Sequence, residues 1–329
     1  MAVSLEDIKK LRSMTGAGLG DCKNALNETN GDMEAAIEVI RKKGQAVAAK
    51  RSDRETSEGC VLVKVVDGFG AIIALKCETD FVANNADFVA LTQQILDAAV
   101  ANKCATLDEV KALPLGDGTV QDAVVARSGI TGEKMELDGY LTLTGENIYP
   151  YNHMNKNILC TMVQMNKPAE EQGHALTMQV AAMNPVAVDQ ASVPQEVKDR
   201  EFKVAIEKTK EEQVNKAVEA ALKKAGYNLY IAESEEHLEE GIRKGNITEA
   251  DADAIRKLKE ETAGQKAANL PEQMVQNIAN GRMQKFYKDF TLLAQEFIQD
   301  SKQTVSDYLK AADKELTVVA FRRFTLRAE

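Results

Sequence analysis

The sequence predicts an α+β protein that opens with a three-helix bundle, passes through small antiparallel β elements, and carries a long charged helical run in its second half. Three observations lead there. Apolar residues recur at helical spacing between caps and glycines over the first fifty positions, the period switches to two after Gly59, and charged residues dominate an unbroken run after Pro194. Length agrees, since 329 residues correspond to two or three domains at roughly 100 to 200 residues each.

Ser4 with Asp7 forms a capping pattern ahead of Leu5, Ile8 and Leu11, whose spacing of three places them on one helical face. Gly16-Ala17-Gly18 interrupts the chain. A second helix turns Leu19, Cys22, Ala25 and Leu26 inward, Asn30-Gly31 stops it, and Asp32 caps a third with Met33, Ala36, Ile37 and Ile40 inward. The bundle closes at Lys42-Lys43-Gly44 and leads into a basic linker, 46–54, able to extend helically.

Val61, Val63 and Val65 alternate, Asp67-Gly68 supplies a turn, and 71–75 returns as a second strand. After Cys77-Glu78, Thr79 caps a short helix beginning Asp80-Phe81-Val82. Asn84-Asn85 breaks it before a longer helix with Phe88, Leu91, Thr92, Ile95 and Ala99 on one stripe. Segment 103–134 shows no dominant period. Strands are expected at 140–144 and 158–165, around a polar, turn-rich stretch at 149–155. A helix over 174–183 ends at Asn184-Pro185, because the residue before proline is pushed out of the α region. A long helix follows at 194–225. Segment 209–264, with 9 basic and 13 acidic residues, reads as a solvated helical projection, and 271–289 as a second helix returning antiparallel to the first. A helix near 304–311 and a strand within 316–326, burying Val318, Ala320 and Phe321, complete the pattern.

Composition narrows the function. A net charge of −10 repels phosphate and argues against nucleic acid as a direct partner; a protein or small ligand fits better. The apolar run 60–77 is broken by Lys64 and Asp67, no stretch reaches the roughly 20 residues a membrane helix needs, and the first residues lack the basic-then-apolar order of a signal peptide. A soluble, cytoplasmic protein is expected, with no membrane association. Five scattered cysteines match neither an even disulfide framework nor a CxxC zinc site, and are expected to be reduced.

Searches for catalytic chemistry return little. His153, His174 and His237 stand apart, and Glu233, Glu236, His237 and Glu240 read as a charged helix surface before a metal site. Gly16-Ala-Gly18-Leu-Gly20 follows a helix, where a dinucleotide loop must follow a strand, and Gly129-Ile-Thr-Gly132-Glu-Lys134 lacks phosphate-loop spacing. No GxSxG occurs. The expectation is a protein that is not an enzyme, with no catalytic residues, metal or cofactor. One feature remains, the Asp80-Phe81 pair in the first turn of a short helix. Either Phe81 and Val82 are core residues while Asp80 favours the helix N-terminus through the macrodipole, or the pair forms a corner suited to wedging into a partner.

Leu11-Arg-Ser-Met14-Thr-Gly16-Ala-Gly18-Leu19-Gly-Asp21-Cys22-Lys23-Asn-Ala25-Leu26, followed by Asn30-Gly31-Asp32 and Ala35-Ala36-Ile37, closely resembles the opening of the bacterial elongation factor Ts family. Cys77-Glu-Thr79-Asp80-Phe81-Val82-Ala83-Asn84-Asn85 is similar to that family's second signature. Val180-Ala-Ala182-Met-Asn184-Pro185, Gly281-Arg282-Met283-Gln-Lys285-Phe286 and Lys302-Gln-Thr304-Val305 continue the resemblance in the same order. It implies a guanine-nucleotide exchange factor for the GTPase elongation factor Tu. By resemblance, 1–54 is a ubiquitin-associated-like (UBA-like) bundle and linker, 55–172 and 173–193 with 290–329 are two pseudo-symmetric α+β core subdomains with small antiparallel sheets, and 194–289 is a projecting antiparallel coiled coil. Homodimerisation through that coiled coil is left open.

The resemblance also implies residue roles. Thr79, Asp80, Phe81 and Val82 would contact the GTPase and displace the elements ordering its magnesium; Leu11, Met14, Gly16, Gly18 and Leu19 would supply the contact surface of the first module. At Gln179, family members usually carry a His that helps at the GTPase interface; Gln can hydrogen-bond there but cannot become cationic. Glu296 replaces a usual Pro between Gln295 and Phe297, about fifty residues around 211–261 exceed the usual coiled-coil length, and the C-terminal helical module of some members is missing.

Overall fold

Three capped helices build the first part of the chain in the computed structural model, which describes residues 3–327. Helix α1 (Leu5–Thr15) starts on Ser4, whose hydroxyl accepts the Asp7 N–H at 3.0 Å, and stops at Gly16 in the left-handed conformation. Helix α2 (Leu19–Glu28) ends before Asn30 and Gly31, both with positive φ, and Asp32 caps α3 by accepting the Ala35 N–H. Ile8, Leu11, Cys22, Ala25, Leu26 and Ala36 form the core of the bundle, with Met33, Ile37 and Ile40 packed half-buried against it. Leu5 is exposed, because it opens α1 ahead of the point where α2 and α3 cover it.

Helix α3 (Met33–Lys50) does not close at Gly44. It continues to the middle of the expected linker, and Gly44 is the point where a neighbouring helix crosses it. A Cβ on Gly129 of that neighbour would lie 2.3 Å from Gly44 Cα, so the backbones touch where side chains would normally keep them apart.

Strands β1 (Glu58–Val66) and β2 (Phe69–Cys77) form the expected hairpin, joined by Asp67 and Gly68, both at positive φ as a two-residue hairpin turn demands. Helices α4 (Asp80–Ala83) and α5 (Ala86–Ala101) follow, and the α5 stripe of Phe88, Leu91, Thr92, Ile95 and Ala99 is buried as its spacing predicts. The unreadable segment resolves into α6 (Leu107–Ala112), a minimal hairpin of β3 (Pro114–Leu115) and β4 (Gly118–Thr119), and α7 (Val120–Thr131). Helix α7 is the one that crosses α3; it opens with a reciprocal Thr119/Asp122 cap and ends at left-handed Gly132.

Strand β5 (Glu136–Thr144) completes the sheet β1-β2-β5. Its outer face, with Cys60, Leu62, Ala71, Ile73 and Leu75, packs on α5. The turn-rich stretch proves to contain β6 (Ile148–Asn152), then a 3-10 turn over His153–Asn155, and β7 (Leu159–Met165). Pro150 fits in β6 because this is an edge strand, where a missing N–H breaks no ladder. The second sheet, in the order β10 (Val318–Thr325), β7, β6, faces the first through Ile148, Cys160 and Met162 against Val61, Ile72, Ala74 and Leu143. Its other face is covered by α8 (Glu170–Met183), which ends at Asn184 in a left-handed conformation.

A separate helical unit comprises Asp189–Gln295, the remaining residues forming the other unit. It contains α9 (Gln195–Lys224), α10 (Leu229–Ala232), α11 (Glu235–Arg243), α12 (Glu249–Ala268) and α13 (Glu272–Phe290). The expected bare projection has its own core instead: Leu222, Ala232, Leu238, Ala252 and Ile255, with Val218, Ile231 and Ile242 against them. Apolar positions on four different helices meet there, which a charge count along one helix could not reveal. Helix α13 packs on α9, where Arg282 reaches Thr209 Oγ1 at 3.1 Å and Glu212 at 2.6 Å.

The chain then returns to the first unit as β8 (Glu296–Phe297), β9 (Asp300–Thr304), α14 (Val305–Ala312) and β10 (Val318–Thr325), the strand that pairs with β7. Val318 is buried; Ala320 and Phe321 are only half-buried, because β10 is an edge strand. Among the described residues, no helix is long and apolar enough to cross a membrane.

Candidate partner interface

The end of β2 and the start of α4 make a tightly braced corner. Cys77 is the last strand residue, and its thiol donates to Thr79 O at 3.3 Å. Thr79 caps α4 from extended backbone and also donates its hydroxyl to Glu133 Oε1 at 2.6 Å. The other oxygen of Glu133 accepts the backbone N–H groups of Glu78 and Thr79 at 3.2 and 3.1 Å. At the far end of the turn, Asn84 donates its amide to Asp80 O at 2.8 Å. The root of α4 is therefore held from both sides, by half-buried Glu133 and by exposed Asn84.

This bracing leaves Asp80 and Phe81 free of the core. Phe81 is 86% exposed, which overturns its burial as the simpler sequence expectation, while Val82 is half-buried against the cluster around α5 and Ala83 is buried. A four-residue helix can bury only one side. The alternation Val82-Ala83 faces the hairpin, so Phe81 points outward with Asp80 beside it. A fully hydrated phenylalanine forgoes about 1.5 to 3 kcal/mol of transfer free energy, a cost that burial against a partner recovers.

Glu78, one residue before the cap, accepts from Arg54 Nη1 at 2.9 Å, Arg51 Nη1 at 3.4 Å and the Lys134 N–H at 2.6 Å. Burial pulls its carboxyl upward, but the Lys134 N–H and the two guanidiniums outweigh that and hold it below the usual carboxylate range. Burial, reinforced by Glu133, pushes the Cys77 thiol up to about 12, so it carries no nucleophile at neutral pH.

The first module presents a second apolar surface. Met14 is 56% exposed and Leu19 49% exposed, on either side of the turn that Gly16 and Gly18 form. Leu11 lies at the centre of the bundle with no exposure, so it holds the helices together and offers no surface. Met14 also borders a groove of about 320 Å³ whose floor includes Ile37, Ile40 and Ile130.

Gln179 is sealed inside α8. Its Nε2 donates to Glu296 O at 3.1 Å and its Oε1 accepts the Ile298 N–H at 2.8 Å, so the amide clips α8 to the β8–β9 hairpin. That pairing uses both ends of a carboxamide, which sequence reasoning had no signal to find. Phe297 of the same hairpin stacks on Tyr308 of α14 at 4.1 Å.

No three His, Cys, Asp or Glu side chains converge as ligands among the described residues. His237 instead stacks on Tyr230 with centroids 4.2 Å apart and bonds to Tyr230 O. Gly129, whose surroundings lack phosphate-loop spacing, serves the α3–α7 crossing.

The family model described as Elongation factor TS matches residues 78–234 and 239–328. Curated relatives named Elongation factor Ts align along the full length of both chains: 63% identical in Phocaeicola vulgatus, 64% in Bacteroides fragilis and 45% in Porphyromonas gingivalis. With the model spanning most of the chain and relatives this similar from end to end, the chain belongs to the elongation factor Ts family, translation elongation factors that work without covalent chemistry of their own.

Proposed function

We propose that this protein is the guanine-nucleotide exchange factor of elongation factor Tu, and that Phe81 with Asp80 is the wedge that opens the nucleotide site. The observation that carries the reading is the 86% exposure of Phe81 on a corner braced by Glu133 and Asn84. A bound nucleoside diphosphate depends on backbone cradling of its phosphates and on a magnesium ion intolerant of distorted octahedral geometry. A rigid aromatic corner entering beside that ion displaces the elements ordering it. Thr79 and Val82 set the angle of entry, one as the cap and the other as the anchor of the short helix. Because the factor prefers the nucleotide-free state, linkage requires that it weaken nucleotide binding and that nucleotide weaken its own.

In this reading, 1–54 is a UBA-like docking module, with Met14 and Leu19 making contact and Leu11, Gly16 and Gly18 shaping the turn that displays them. Residues 55–172, and 173–193 with 290–329, are the two core subdomains. The helices of 194–289 form a coiled coil enlarged by the α10–α12 insertion, whose pairing with a second copy is a reading of its own. Gln179 acts on the partner only through the β8–β9 hairpin that it holds. The work takes place in the cytoplasm, with no nucleic acid, metal or cofactor bound by this chain.

The test is stopped-flow release of a fluorescent GDP from elongation factor Tu in excess unlabelled nucleotide. Acceleration that saturates with this protein is expected, and Phe81→Ala should reduce the maximal rate at least about tenfold, as loss of a central aromatic anchor does. Binding without any change in release would leave an interaction scaffold.

A further inference from the structure

We infer that Glu78 is a positioning residue for exchange, tying the tail of the N-terminal bundle to the root of the Asp80-Phe81 corner so that docking of the bundle orients the aromatic ring. The inference rests on Phe81 being the wedge. Arg51 and Arg54 follow directly on the last turn of α3, the helix that carries the bundle, and both guanidiniums converge on the Glu78 carboxylate. Lys134 closes the ring twice, its N–H donating to Glu78 and its Nζ to Arg54 O at 2.9 Å. Glu133, the preceding residue, holds the N–H groups of Glu78 and Thr79. Three separate stretches of chain thus meet around the residue that precedes the cap.

The charges and burial suit this role better than a purely stabilising one. An exposed ion pair contributes little, but the Glu78 side chain is only 16% exposed and serves two guanidiniums and a backbone N–H at once. Removing its charge leaves Arg51 and Arg54 without their common acceptor and frees the α3 tail. Both sides of the ring are stiff, because α3 crosses α7 at the Gly44–Gly129 contact and α7 runs directly into Gly132, Glu133 and Lys134. A displacement of the bundle on meeting its partner therefore has a short, mechanically continuous route to Thr79. Asp80 and Phe81 themselves lie outside the ring, so its loss alters their aim and leaves their chemistry intact.

The experiment measures GDP release from elongation factor Tu over a range of concentrations for full-length Glu78→Gln, Arg51→Ala/Arg54→Ala and Arg51→Lys/Arg54→Lys, each with and without Phe81→Ala. Glu78→Gln and the double alanine variant should lower the maximal rate about tenfold with little change in half-saturating concentration, a split that simple destabilisation does not produce. The lysine pair should restore the rate, because each arginine makes a single contact. In the Phe81→Ala background, Glu78→Gln should cost nothing further, since no ring remains to aim. Trypsin should cut after Arg54 faster in Glu78→Gln while circular dichroism is unchanged. A full additional loss in the Phe81→Ala background, or wild-type rates for Glu78→Gln beside a slowed Phe81→Ala, overturns the positioning role alone. Wild-type rates for Phe81→Ala overturn the wedge, and with it this inference.

Discussion

Leu11 and Met14 stand three positions apart on one helix, yet the first is sealed in the bundle and the second is more than half bare, so they call for opposite experiments. Leu11→Ala should cost about 2 to 5 kcal/mol of stability in a denaturant titration, as cavity creation in a tight core does. Met14→Ala should stay within about 0.5 kcal/mol of the parent in the same titration and instead raise the concentration needed for exchange. The cysteines give a third test. All five are buried, and burial raises the Cys60 thiol to about 11 and the Cys77 thiol to about 12. Those two thiols are therefore scarcely ionised at pH 8, and with all five buried a disulfide reagent should label the native protein far more slowly than the protein in denaturant. At this scale the sequence was legible wherever a residue had a local duty: Ser4, Asp32 and Thr79 all cap the helices their positions indicated. It left Phe81 between core and corner and gave no sign of the clip that Gln179 makes, because whether a side chain meets solvent or a distant backbone is decided by strands and helices far away in the chain.

Helix α7 shows why some elements escaped a reading by period. Its buried residues, Val120, Val124 and Ser128, run down one side, but Val125, Ala126 and Gly129 are occupied with α3, so apolar and small residues surround it and no single stripe emerges. Its start is fixed by the reciprocal Thr119/Asp122 cap, which the reading by period passed over. Strand β6 was hidden for the opposite reason, as proline and asparagine are turn residues in most settings and are tolerated here by an edge. Gly44 looked like a stop because glycine usually is one, whereas here it admits another helix. The crossing predicts an asymmetry between its two glycines. A Cβ on Gly129 meets Gly44 Cα at 2.3 Å, while one on Gly44 finds its nearest atom at 3.4 Å. Gly129→Ala should destabilise the protein by about 1 to 3 kcal/mol by forcing the helices apart, with Gly44→Ala close to neutral in the same urea titration.

The whole molecule divides into two units, and clusters of buried residues lie within each. Calorimetry should accordingly give a van't Hoff enthalpy below the calorimetric one, the mark of more than one cooperative transition. Acid should weaken the first unit. Asp122 is held below its ordinary value chiefly by the Thr119 backbone N–H, and the hydrogen bonds of Lys64 and Gln93 outweigh burial to do the same for Asp97, as Glu78's partners do there. Groups depressed in the folded state contribute stability above their unfolded value, near about 4, and lose it as pH falls through the lower folded value. Melting temperature should therefore be level from neutral pH down to about 5 and fall increasingly below about 4.

The pairing of β7 with β10 carries a cost in time. Met165 waits for Val318 across roughly 150 residues, so the second sheet cannot finish until nearly the last of the chain has been made. Until β10 arrives, β7 offers a bare hydrogen-bonding edge beside Cys160 and Met162, and a newly made chain stalled or truncated before Val318 should join its copies edge to edge and precipitate.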